Sequence, residues 1–273
     1  MAAEHKHPDE MSFLDHLEVL RWHLVRSSIA VFILAAIAFV NRPLIFDTIL
    51  FGPKSGSFPT YVVLCKMAQQ LGLDESLCMT DLPFQIINID MSGQFTLHIM
   101  VSIISGLVMA FPYILWEIWR FIRPALHQKE RRYARGLVFY TSFLFISGLL
   151  FGYFVISPLS VQFLGTYQVS AQVPNQPTLN SFIMTEVLIT VASGLIFEMP
   201  VLVYFLTKMG LISPEFLKKY RRHAIVINLV LAAIITPPDI SSQILMAIPL
   251  LILYQISIWI SGRVLKKEAA NQD

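Results

Sequence analysis

Residues Ala224–Ile260 read AIVINLVLAAII-TPPD-ISSQ-ILMAIPLLILYQISIWI. Two apolar stretches, Ala224–Ile235 and Ile244–Ile260, flank Thr236-Pro237-Pro238-Asp239. As helices they would cover roughly 18 Å and 25 Å, at about 1.5 Å per residue. A bilayer core is about 30 Å thick. They are short for two crossings, and a re-entrant hairpin or a buried soluble-type helix pair are the alternatives. Choosing among these fixes the number of spans, and the charges elsewhere make the choice.

Four more apolar stretches precede the pair: Trp22–Val40, Phe95–Trp119, Leu137–Ile156 and Phe182–Leu206. Six crossings divide the 20 Lys and Arg residues cleanly. The N-terminus, Arg120–Arg135, Lys208–Arg222 and the tail after Gly262 hold seventeen. Asn41–Gln94 holds three, while Gly152–Ser181 and Thr236–Gln243 hold none. Basic residues concentrate on the cytoplasmic side, so both termini are expected there. The predicted spans are about 22–41, 95–119, 137–157, 181–207, 223–236 and 243–261, in one polytopic domain, with an outer loop 42–94 carrying short helices.

Composition agrees. Of 273 residues, 55% are apolar and 14% charged, against roughly 45–50% and 25% in a soluble domain. That argues against a soluble enzyme and against a disordered chain. The net charge of +2 names no partner, and no nucleic acid is expected. The acidic N-terminus and the first apolar stretch lack a cleavage pattern, so no signal peptide is expected. Nucleotide-binding and metal-site patterns are missing from the sequence, so neither a cofactor nor a metal is expected.

Cys65 and Cys78 both fall in the first outer loop. An even count in an oxidising compartment suggests a disulfide, with two buried free thiols as the alternative.

Three places could carry chemistry. Phe13–Leu24 is amphipathic, with Leu14, Leu17, Leu20 and Leu24 at helical spacing. Glu18 can pair with Arg21 on its other face, as in an ordinary interfacial lead-in helix. Glu130 is the one acid among Lys129, Arg131 and Arg132, which local charge balancing would also explain. Glu198 lies in a membrane stretch two residues before Pro200. Proline leaves the carbonyl of Ile196 without its helical donor, and intramembrane acids are functional candidates by default. Glu117 and Glu186 lie nearer the ends of their stretches and read as interfacial.

Four segments together resemble the TatC family, the multispanning receptor subunit of the twin-arginine protein translocase. They are His16-Leu17-Glu18-Val19-Leu20-Arg21, Phe121-Ile122-Arg123-Pro124-Ala125-Leu126 leading to Glu130-Arg131-Arg132, Phe197-Glu198-Met199-Pro200, and Thr236-Pro237-Pro238-Asp239. The resemblance implies an all-α membrane protein of six transmembrane helices in a cupped arrangement, the last two short. It implies a non-enzyme of the bacterial inner membrane. Such a protein would bind twin-arginine signal peptides of folded precursors, self-associate in a receptor complex and recruit single-span TatA and TatB, with transport drawing on the proton-motive force. By the same resemblance Glu130, Phe121, Glu18 and Arg21 belong to the signal-peptide-binding surface. Glu198, Asp239 and Pro53 match polar or structural family positions.

One position departs. The family often reads His-Leu-x-Glu-Leu-Arg, and Val19 stands here where that glutamate would be. Either Glu18 takes over the contact or Glu130 carries more of it. The rival class is a proton-coupled secondary transporter with Glu198 as its proton carrier. A plain membrane anchor is the third reading, and it needs neither acid.

Overall fold

The computed structural model describes residues 13–70, 72, 84–122, 134–170, 172–173 and 175–269. Among these residues the structure is helical, with one isolated parallel bridge between Ile87 and Thr178. Five helical runs are long and apolar enough to cross a membrane: Leu17–Val40, Gly93–Ile122, Gly136–Thr166, Leu179–Lys208 and Ile240–Lys266. The fifth expected stretch forms Arg221–Ile235, 15 residues long. It covers about 22 Å, short of a bilayer core.

The chain divides into two compact units. The first holds the N-terminus to Arg42 and Phe95–Phe143. Its helix α1, Phe13–Val40, is continuous, so the amphipathic lead-in and the first span are one element. Leu20, His23, Ser27, Val31, Ala35 and Ala38 turn inward at helical spacing, while Leu17 and Leu24 stay exposed. Helix α2 is Pro59–Gln70, in the other unit, and α3 is Gly93–Ile122. On α3, Gly106, Ala110 and Glu117 share one buried face, while Leu97 and Val101 are buried on the opposite side. The two spans cross at Gly106, where an added Cβ would stand 2.6 Å from the Ala35 nitrogen and 2.7 Å from the Val31 carbonyl. Glycine is what allows the backbones to approach this closely.

The second unit holds Pro43–Gln94 and Leu144–Asp273. Helix α4, Ala134–Phe151, belongs to this unit from Leu144 on and runs through a π-helical turn, Gly152–Ile156, into α5, Ser157–Thr166. Where one unbroken span was expected at 181–207, the chain forms α6, Leu179–Ile196, and α7, Met199–Lys208. The break falls at Phe197–Glu198 because Pro200 has no N–H to continue the ladder. Helices α8, Pro214–Lys219, and α9, Arg221–Ile235, follow.

Helix α10, Ile240–Ala269, is 30 residues long, so the expectation of a short last helix holds only for its apolar part. Asp239 caps it before the apolar run begins. Beyond Gly262, Arg263-Val264-Leu265-Lys266-Lys267-Glu268-Ala269 consists largely of good helix formers and carries it on. The core of this unit is Ile156, Ile189, Ala232, Ile235, Met246, Ala247 and Leu250. A second cluster joins Val203, Leu217, Tyr254 and Ile258. Between α7 and α10 the Thr207 hydroxyl donates to Ser261 at 2.8 Å.

Candidate functional site

In the first unit the expected recognition residues sit at one end of the α1–α3 pair. Glu18 and Arg21 are exposed on α1. Among the described residues no ion pair joins them, although their spacing allows one. Phe121 stands in the last turn of α3, half-buried, with its ring edge-on to His23 at 6.0 Å between centroids. Glu130 lies outside the described residues.

The structure adds a partner set that the sequence reading missed. His23 Nδ1 is bonded to Glu117 Oε2, and the Tyr113 hydroxyl donates to Glu117 Oε1 at 2.8 Å. Glu117 is only 3% exposed, so its place near the end of its span does not leave it open to water. Burying a carboxylate is costly unless it is paired, and here both oxygens are engaged. Tyr113 four positions before Glu117 was visible in the sequence, but His23 was not a legible partner across 94 positions.

The second unit carries the Glu198 site. A Cβ on Gly148 would meet the Ser193 carbonyl at 2.7 Å and Phe197 Cβ at 2.8 Å, so α4 passes α6 closely just before the break. Glu198 follows directly and is buried. The Phe145 backbone approaches its carboxyl without a hydrogen bond of good geometry, and neither oxygen has a partner among the described residues. The Glu198 carbonyl accepts from Val201 at 3.0 Å and Leu202 at 3.1 Å, starting α7.

Asp239 does different work. Its Oδ2 accepts from the Ser242 amide at 2.6 Å, which caps α10; Oδ1 is buried without a partner. Pro53 is buried in the turn Gly52–Lys54, and its carbonyl accepts the Tyr61 hydroxyl at 2.9 Å.

Glu186 is also enclosed by the fold. It is 1% exposed and accepts a hydrogen bond from Ser157 beside the π-helical turn. Tyr61, on α2, is buried, and that burial together with the Glu186 carboxyl pushes its phenol above the ordinary range. Cys65 on α2 is disulfide-bonded. Cys78, the other cysteine of the chain, lies outside the described residues. Among the described residues no cluster of three or more His, Cys, Asp or Glu could hold a metal.

A family model described as "Sec-independent protein translocase protein (TatC)" matches residues 15–249. The chain belongs to the TatC family. It is similar to the Sec-independent protein translocase protein TatC of Blattabacterium sp. subsp. Periplaneta americana, with 42% identity over 95% of this chain and 98% of that protein. The TatC of Aquifex aeolicus is 35% identical over 94% of this chain and 98% of that protein. A solved structure described as "Crystal Structure of Twin Arginine Translocase Receptor- TatC in DDM" matches with TM-score 0.69 and 36% identity, over 90% of this chain and 99% of that one. A second TatC receptor structure matches with TM-score 0.64 and 32% identity, covering 92% and 99%. As a TatC, the chain is a multi-pass membrane component of the protein-transport machinery of the Tat pathway and not an enzyme.

Proposed function

We propose that this TatC chain binds twin-arginine signal peptides of folded precursors at its cytoplasmic face and recruits TatA- and TatB-type single-span proteins for export driven by the proton-motive force. In this reading it is one polytopic domain of the bacterial inner membrane with both termini in the cytoplasm, and it self-associates in a receptor complex. The 42% identity to a curated TatC, extending over nearly the whole of both chains, carries the reading.

The paired arginines of the precursor meet Glu130 and Phe121. A guanidinium forms two parallel hydrogen bonds with a carboxylate, and Glu130 is the one acid of a strongly basic loop. Glu18 and Arg21 on α1 belong to the same signal-peptide-binding surface. Glu198 docks the single-span partner, because a polar group from a neighbouring helix would complete its buried carboxyl. Asp239 and Pro53 hold the scaffold, and Cys65 pairs with Cys78 in the outer loop.

The test is crosslinking of a twin-arginine precursor to full-length protein in membranes. Glu130→Ala abolishes the crosslink and leaves the protein folded, while Glu18→Ala does less. A Glu130→Ala variant that still crosslinks at the wild-type level overturns the reading.

A further inference from the structure

We infer that His23 and Glu117 are positioning residues that set the register of α1 against α3 and thereby place Phe121 for the signal peptide. The inference rests on the recognition reading above and names how that surface is held.

The two spans run antiparallel and meet at three points. At one end the rings of Phe39 and His98 stack at 3.9 Å. In the middle Gly106 lies against the backbone of Ala35. At the far end His23 binds Glu117. That bond is twelve residues along α1 from Ala35 and eleven along α3 from Gly106, about 17 Å in either helix. A crossing of small residues fixes how closely two helices approach, and it tolerates sliding and rotation about the contact. The His98 ring nitrogen meets the Phe39 carbonyl at 3.0 Å at one end, and the His23–Glu117 bond limits that freedom at the end that carries Phe121.

Tyr113, Glu117 and Phe121 recur every fourth residue, so they share one face of α3. Tyr113 holds one carboxylate oxygen and His23 the other, which leaves the Glu117 side chain a single arrangement. The His23 ring is then fixed, and the edge of the Phe121 contact with it. Glu117 is buried and fully engaged, so it does not itself receive an arginine. Phe121 follows one turn beyond it, in the last described turn of α3. The pair therefore governs where Phe121 stands.

The experiment measures binding of a synthetic twin-arginine signal peptide to full-length protein in detergent or membranes, with thermal melting recorded for each variant. His23→Leu strands a buried carboxylate and lowers melting and binding together. The double variant His23→Leu/Glu117→Leu removes both buried polar groups, so it regains melting. Its peptide binding stays about tenfold or more below wild type, as loss of one oriented hydrogen bond implies. Asn places its amide where Nδ1 stands, so His23→Asn binds near the wild-type level. His23→Gln places its amide elsewhere and binds more weakly than Asn at equal melting.

Wild-type binding by the double variant overturns the inference, because a merely structural pair predicts that outcome. If the double variant does not fold, equal binding by the Asn and Gln variants overturns it instead. Glu130→Ala is the control. Undiminished peptide binding there sinks the recognition reading itself, whereas lost binding there with a fully active double variant sinks only the positioning role.

Discussion

The hydroxyl of Tyr61 stands 2.8 Å from the carbonyl oxygen of Pro158, a residue 97 positions away. The same hydroxyl reaches the Pro53 carbonyl at 2.9 Å. Beside it Thr60 donates to the carbonyl of Phe154, whose helical donor four residues on would be Pro158. Helix α2 thus supplies, through Thr60, the hydrogen bond that Pro158 cannot give to Phe154, and through Tyr61 a second tie to the same turn. This explains how a π-helical turn persists there without leaving the Phe154 carbonyl unmatched.

Tyr61→Phe removes a hydroxyl from a buried site and leaves both carbonyls without that donor. Stability falls by about 1–3 kcal/mol, the usual penalty for a buried group left unsatisfied. Thermal melting in detergent reads the change; a melting temperature equal to that of the wild type would contradict the stapling role.

Gly106→Ala places a methyl group 2.6 Å from a backbone nitrogen that no side-chain rotation can relieve. The α1–α3 crossing must open, at a loss of about 1–3 kcal/mol. Gly262→Ala meets nothing within 4 Å and serves as the silent comparison. Similar melting of the two variants would show that the crossing is slack.

Asp239→Ala removes the acceptor for the Ser242 amide and lowers stability by about 0.5–2 kcal/mol. Asp239→Asn keeps that acceptor and stays within a few tenths of wild type, since the two residues cap almost equally well. A loss of export in the Asn variant at unchanged melting would assign Asp239 a role beyond capping.

Glu198→Gln keeps size and hydrogen-bonding capacity, so export and crosslinking to the single-span partner survive. Glu198→Leu leaves a partner's polar group unmatched, and partner crosslinking drops while precursor binding remains. Gln as damaging as Leu would instead identify a proton carrier. Normal export by both would reduce Glu198 to a structural residue.

Much of this protein is legible along the chain. Apolar runs and the placement of Lys and Arg are local properties, so the six stretches are visible before any folding is considered. The break at Phe197–Glu198 is announced by Pro200, although a window of average hydropathy passes over it. The four segments that resemble the family are likewise short and contiguous. Glu198, Phe121 and Asp239 could therefore be named from sequence.

What tertiary structure decided is who meets whom. Glu117 and Glu186 look interfacial by position along their spans, yet the fold buries both, one against His23 and the other against Ser157. Only the fold brings Tyr61 to the Pro158 carbonyl, 97 positions along the chain. Asp239 matches a family motif in the sequence, but only the backbone around Ser242 shows it to be a helix cap. Hydropathy and charge act one residue at a time and persist in any window of sequence. Glu117 and Glu186 each meet a donor from another helix, and those meetings exist only once the helices are packed.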